Sequence, residues 1–214
     1  MHDYWGEFFK VALAHLLAVA SPGPDFAVVI KQSLTRGRRA ALWTSWGIGL
    51  AILLHVTYSL LGIGLLVRSS ELWFSILKFT GAAYIAWLGF TSLLSRPPSA
   101  AGDADLSAVK VRPPETGRNA FITGFLTNAL NPKATLFFIS LFVILVSPET
   151  PKLAQAAYGV WMAAATAIWF SAVSVLFTHP RIRGRFLRHG HWIDRAMGAV
   201  FLGLAASLAL GRLE

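Results

Sequence analysis

The chain has no cysteine, which excludes disulfide scaffolds, thiolate metal sites and thiol catalysis. Charge is scarce as well, at 14% of 214 residues, and only 10 residues are acidic. No P-loop or other glycine-rich nucleotide cradle occurs, so any work done must draw on an ion gradient or on a solute's own gradient. Nor is there a polar stretch long enough for a soluble domain. What is present is apolar: 55% of the residues, with a mean hydropathy of +0.58. The apolar runs follow one another, each long enough to cross a hydrocarbon layer of about 30 Å. This is the composition of an integral membrane protein.

Between the charged clusters the sequence predicts six tilted spanning helices near 8–30, 41–66, 72–94, 121–146, 154–178 and 193–212. The first run is flanked by Asp3 and Glu7 rather than by a positive cluster, and Ser21-Pro22 is a poor cleavage site. It is therefore expected to stay in the mature protein. The net charge of +9 would suggest nucleic acid in a soluble protein, but no separate basic domain exists to carry it. Instead the basic residues sort by loop. Lys31, Arg36, Arg38, Arg39, Arg96, Lys110, Arg112, Arg118, Arg181, Arg183, Arg185, Arg188 and Arg195 fall on one side, 13 against the 4 of Lys10, Arg68, Lys152 and Arg212. The positive-inside rule then puts the three basic loops in the cytoplasm and both termini outside, with membrane lipid as a partner of the loops.

Proline-rich residues 96–118 read as a cytoplasmic linker between repeat one, 1–95, and repeat two, 119–214, within one transporter domain spanning 1–214. Three spans per half force the second half to enter the membrane in the opposite sense, which is the geometry of an inverted repeat. Two landmarks agree in order. Ser21-Pro22 in span one matches Asn131-Pro132 in span four, and Lys78, three before Gly81, matches Arg195, three before Gly198. The expected fold is all-α, six transmembrane helices arranged as two inverted three-helix repeats, with helices one and four broken.

The breaks carry the chemistry. Ser21, Pro22, Gly23 and Pro24 interrupt the first span and Pro132 the fourth. Lipid cannot repair a broken helical ladder, so such breaks survive where they line a protein cavity. A capping side chain followed by proline predicts that a helix restarts there, and the two restarts point their positive ends at each other. Asp25 and Lys133 lie in the first turns of these restarts. An unpaired charge at mid-membrane costs roughly 2.5–3.5 kcal/mol, so the two are expected to pair with each other or with a ligand. His55 and His15 are proton-relay candidates, and Lys78 and Arg195 are snorkelling residues or gates. His179, His189 and His191 read as solvated loop residues, so no metal and no cofactor is expected. Trp5, Trp73 and Trp192 read as interfacial anchors.

Ser21-Pro22-Gly23-Pro24-Asp25-Phe26, the Arg36-Gly37-Arg38-Arg39 loop, Gly81-Ala82-Ala83-Tyr84 with Trp87-Leu88-Gly89, and Gly124-Phe125-Leu126-Thr127-Asn128 running into Asn131-Pro132-Lys133-Ala134 together resemble the LysE/RhtB amino-acid exporters. The resemblance covers essentially the whole chain, including Trp192-Ile193-Asp194, and the motif text is closest to the threonine and homoserine efflux branch. It implies export of small amino acids from the cytoplasm across the bacterial inner membrane, against proton entry. The expectation is then a multi-pass carrier rather than an enzyme, working by alternating access. Asp25 would bind the substrate amine or a proton, Lys133 and the half-helix ends its carboxylate, and Asn128 and Asn131 would orient it. Two other classes stay open: an intramembrane enzyme acting on lipid head groups, and a divalent-cation exporter. Neither the amino acid exported nor the oligomeric state, a homodimer included, is legible.

Overall fold

The structure is a computed structural model that describes residues 4–21, 23–69, 71–95, 113, 115–177, 191–192, 195–196, 198–203 and 205–206, without the side chains at 63–69, 71, 73–74 and 77–78. Pro22, the Lys78 and Trp73 side chains, His179, His189, and most of the 96–118 linker lie outside the described residues.

Seven helices carry these residues: α1 (Tyr4–Ala20), α2 (Pro24–Thr35), α3 (Arg38–Ser69), α4 (Glu71–Leu93), α5 (Gly117–Ala129), α6 (Pro132–Leu145) and α7 (Lys152–Leu176). Helical backbone recurs at 198–203, within the predicted last span, which is described only in part. Among the described residues there is no strand. In α3 and α4 the apolar residues surround the helix instead of forming one stripe, the pattern of a helix with no water-facing side. Arg38–Gly62 of α3 and the whole of α7 are each long and apolar enough to cross a membrane. So are the pairs α1 with α2, bent by 50°, and α5 with α6, bent by 58°. The two breaks therefore fall inside the first and fourth apolar runs, with one difference from the local reading. The first restart begins at Pro24, with Gly23 as its N-cap, not at Ser21-Pro22.

Burial is distributed as a lipid solvent demands. Leu13, Leu16, Trp46, Leu50, Phe79, Trp87, Phe90, Val160 and Ile168 face outward, while His15, Thr44, Ser45, His55, Asn128, Thr166 and Ser174 are buried. Water would make such a surface aggregate; acyl chains match it. Inside, small residues let helices approach. A Cβ on Gly47 would run into the Phe121 carbonyl and one on Gly124 into the Thr44 carbonyl, so α3 and α5 cross backbone to backbone. The Thr44 hydroxyl donates to the Ala120 carbonyl at 3.1 Å across the same crossing. Gly49 meets Ala163 and Ala167 of α7 in the same manner.

The order of contacts gives the helix directions. Along α3, Gly49 and then Val56 meet Ala167 and then Gly159, so α3 and α7 are antiparallel. Thr44 and then His55 meet Ala120 and then Asn128, so α3 and α5 run the same way. Along α1, Glu7, His15 and Ser21 meet Ser147, Phe138 and Lys133, so the first broken pair runs against the second. Gly37, at φ 88° in the left-handed region that glycine tolerates, makes the tight turn from α2 into α3.

Candidate functional site

The site grows from the two helix breaks. At the second, α6 starts with Pro132 in its first turn, and the Asn131 side chain accepts the Lys133 N–H at 3.0 Å. This cap satisfies one of the amides that a helix start leaves free. At the first, α2 starts with Pro24 and Asp25, but no side chain closes its N-cap. Gly23 is extended there, and a Cβ on it would stand 3.9 Å from Lys133 Nζ. The Lys133 ammonium also lies 3.5 Å from Ser21 Oγ, to which it donates. One break thus presents its cation to the backbone of the other.

Asp25 is held from across the bundle. Its Oδ2 accepts from Asn128 Nδ2, on the last turn of α5, at 2.9 Å. Asp25 Oδ1 and Asn128 Oδ1 are buried with no hydrogen-bond partner among the described residues. A buried acceptor left without a donor costs about 1–3 kcal/mol, so two of them on one hydrogen-bonded pair of residues mark a place where a donor belongs.

Around these groups lies a cavity enclosing about 580 Å³ of non-atom space, part of it open to the outside. Ser21, Gly23, Pro24, Asp25, Asn128, Asn131 and Lys133 line its polar part; Val19, Ile52, Phe137, Phe138, Phe170 and Phe201 line its apolar part, with His15 and Thr166 between. Among the described residues, Asp25 and Lys133 are the two side chains of full charge in this lining.

The structure thus brings together Asp25, Lys133, Asn128 and Asn131, with Ser21, Gly23 and Pro24. Pro132 shapes the start of α6 without lining the cavity. His55 stands behind it, its Nε2 3.1 Å from the Asn128 carbonyl, its Nδ1 hydrogen-bonded to the Tyr58 hydroxyl and its ring stacked on Phe138 at 5.4 Å. Arg195 is elsewhere: its Nε donates to the Ser95 carbonyl at 3.1 Å and its guanidinium lies 5.1 Å from the Trp192 ring centroid, tying the end of α4 to the last span. Sequence reasoning missed Thr166, Phe138 and Phe170 as lining residues. Nothing in the local text distinguishes them from ordinary packing residues.

It missed a second feature too. At the start of α1, the buried Glu7 carboxylate accepts from the Ser147 N–H at 2.9 Å and from the Thr150 hydroxyl at 2.9 and 3.0 Å, closing over the end of α6. Just before α5, Glu115 accepts from Gln32 Nε2 at 2.9 Å and faces Arg36 Nε at 3.4 Å, closing over the end of α2. Because the broken pairs run in opposite directions, these two carboxylate clasps lie at opposite ends of the bundle. The signal available was an acid at the head of each broken pair, Glu7 14 residues before Ser21 and Glu115 16 before Asn131.

The chain is 32% identical over 205 residues to the threonine efflux protein of Salmonella typhi, covering 96% of this chain and 98% of that protein. It is 31% identical, with the same coverage, to the threonine efflux protein of Escherichia coli strain K12. A homoserine/homoserine lactone efflux protein of Salmonella typhimurium is 32% identical over 72% of this chain and 69% of its own length. No solved structure matches. The model of the LysE type translocator family matches residues 16–212, which takes in both breaks and every residue of the cavity but His15. A multi-pass membrane protein, the chain belongs to the LysE-type translocator family.

Proposed function

We propose that this protein exports small amino acids of the threonine and homoserine kind from the cytoplasm across the bacterial inner membrane, coupled to proton entry. The observation that carries this reading is the meeting of two helix starts, one cation and one carboxylate in a single cavity. An amino-acid zwitterion has the complementary pattern. Its carboxylate suits Lys133 Nζ and the uncapped amide end of α2, since a helix start favours an anion. Its ammonium suits Asp25 Oδ1 and Asn128 Oδ1, the two buried acceptors without donors. Asn131 holds the start of α6 and so fixes where Lys133 stands. When the cavity holds no amine, Asp25 is the group to carry the proton inward.

The movement proposed is alternating access by two inverted three-helix repeats, six spans in all, with the basic loops in the cytoplasm. Its support is the opposed direction of the two broken pairs and the clasp at each end. Opening the Glu7 clasp would admit the outer side, and opening the Glu115 clasp, beside Arg36, the cytoplasmic side. The relatives named for threonine and homoserine efflux support the substrate class. A divalent-cation cargo finds no set of three or more His, Asp or Glu side chains among the described residues.

The test is a proteoliposome screen of purified protein across the amino acids, with and without an imposed pH gradient. Uphill movement of small amino acids that collapses with the gradient is expected. Indifference to every amino acid, with and without the gradient, would end the reading.

A further inference from the structure

We propose that the cavity selects amino acids that carry a side-chain hydroxyl, and that His15 is the residue that reads it, accepting a hydrogen bond from that hydroxyl at Nδ1. The inference rests on the export reading and adds to it the specificity residue and the atom through which it acts.

His15 lies on α1, fully buried, and lines the cavity. Its Nε2 is 3.1 Å from the Met162 carbonyl and 2.9 Å from Thr166 Oγ1, both on α7. A carbonyl oxygen only accepts, so Nε2 carries the ring proton, and in the neutral imidazole Nδ1 is then an acceptor. Nδ1 is buried and has no hydrogen-bond partner among the described residues. The rings beside it, Phe138 at 5.8 Å and Trp161 at 6.2 Å between centroids, hold the imidazole in place. Two contacts to α7 thus fix the tautomer and the ring orientation and leave one acceptor over.

The remaining question is which part of a ligand supplies the donor. In the export reading the ammonium is taken by Asp25 and Asn128 and the carboxylate by Lys133, so only the side chain is left. A cationic side chain would need a second carboxylate, and Asp25 is the sole acid of the lining among the described residues. A hydroxyl donates one hydrogen bond without charge, beside the apolar wall of Val19, Ile52 and Phe138. An aliphatic isostere would fit the same space and leave Nδ1 orphaned. Sites built to bond a hydroxyl reject its hydrocarbon analogue much more strongly than apolar pockets sort by size.

The test uses the full chain in vesicles, with counterflow of labelled L-threonine competed by unlabelled L-threonine, L-valine and O-methyl-L-threonine. Valine replaces the hydroxyl by a methyl, and the methyl ether keeps the oxygen but loses the donor. Threonine is expected to compete about tenfold or more better than either analogue, and in His15→Phe that ratio should fall toward one. A change in packing alone would lower transport of all three together. Equal competition by valine or by the ether in the wild-type protein would overturn the inference and leave amino-acid export standing. So would an undiminished ratio in folded His15→Phe. If His15→Phe does not fold, the same ratio is read in His15→Leu, which also lacks the acceptor, while the wild-type series tests the hydroxyl preference by itself. Failure to exchange any amino acid would overturn the export reading and this one with it.

Discussion

The two broken helices are built differently. The second closes its own start, with the Asn131 side chain on the Lys133 amide, and α5 is locked to α3 where Gly47 and Gly124 allow backbone contact. The first leaves its start without a side-chain cap and packs α1 and α2 through side chains: Phe26 against Phe170 and Phe177, His15 against Thr166. Backbone-to-backbone contact has no slack, whereas ring-on-ring contact can slide or reform. In the alternating-access proposal the second break is accordingly the fixed frame, and the first, which carries Asp25, is the part that moves. A carrier needs both: a frame that keeps Lys133 in place and an element whose acid can change partners.

The largest effect should come from attacking the frame. Gly124→Ala places a methyl inside the Thr44 carbonyl, with backbone on both sides and nothing flexible to yield. Overpacking of this kind costs about 1–3 kcal/mol or more, and the folded yield by size-exclusion chromatography in detergent should collapse. A monodisperse Gly124→Ala protein with wild-type yield would deny that the α3–α5 crossing is the frame.

Next come the clasps, which compare the two ends directly. Hydrogen bonds to a charged group are worth about 1.5–3 kcal/mol each, so Glu7→Ala should shift the population strongly toward opening at that end. Because the chain lacks cysteine, Ala134→Cys in the cavity wall gives a single label site. Glu7→Ala should raise its labelling by an impermeant maleimide from the outside several-fold, and Glu115→Ala should lower it. Labelling that responds alike to both substitutions would contradict the alternation of the two ends.

The smallest effects concern the caps. Asn131→Ala removes the α6 cap and should lower stability by about 1 kcal/mol, read as an earlier thermal transition. Gly23→Ser offers α2 a cap it lacks and should change stability by only a few tenths, since extended backbone suits serine as well as glycine. Equal losses at the two positions would erase the difference between the breaks.

Much of this was legible from residue order. Proline inside apolar runs marks both breaks, and Asn131-Pro132 announces the α6 start because cap and first turn are local chemistry. The same rule misplaced the α2 start by two residues. Pro24 disfavours helical backbone at the residue before it, so Gly23 is extended and α2 starts at Pro24, a second local rule that the Ser21-Pro22 signature alone does not express. Asp25 and Lys133 were visible because charge is expensive in lipid. Glu7 and Glu115 were not, since each finds its partners on the far broken pair, about 80 or more residues away in sequence. His15 was noticed only as a titratable group. Its place in the cavity depends on α7, through Met162 and Thr166.

The central claim is that a zwitterion is held with its carboxylate at Lys133 and its ammonium at Asp25. It is tested most directly by pairing each variant with the ligand that lacks the matching group. Calorimetric binding of L-threonine, L-threonine amide and 3-hydroxybutyrate to wild-type protein, Asp25→Asn and Lys133→Ala forms the set. Each charged contact should be worth about tenfold or more for threonine. Lys133→Ala should weaken threonine but leave the amide, which has no carboxylate, almost unchanged; Asp25→Asn should weaken threonine but not 3-hydroxybutyrate, which has no amine. If both variants weaken all three ligands to the same degree, Asp25 and Lys133 hold the protein together and do not hold the substrate.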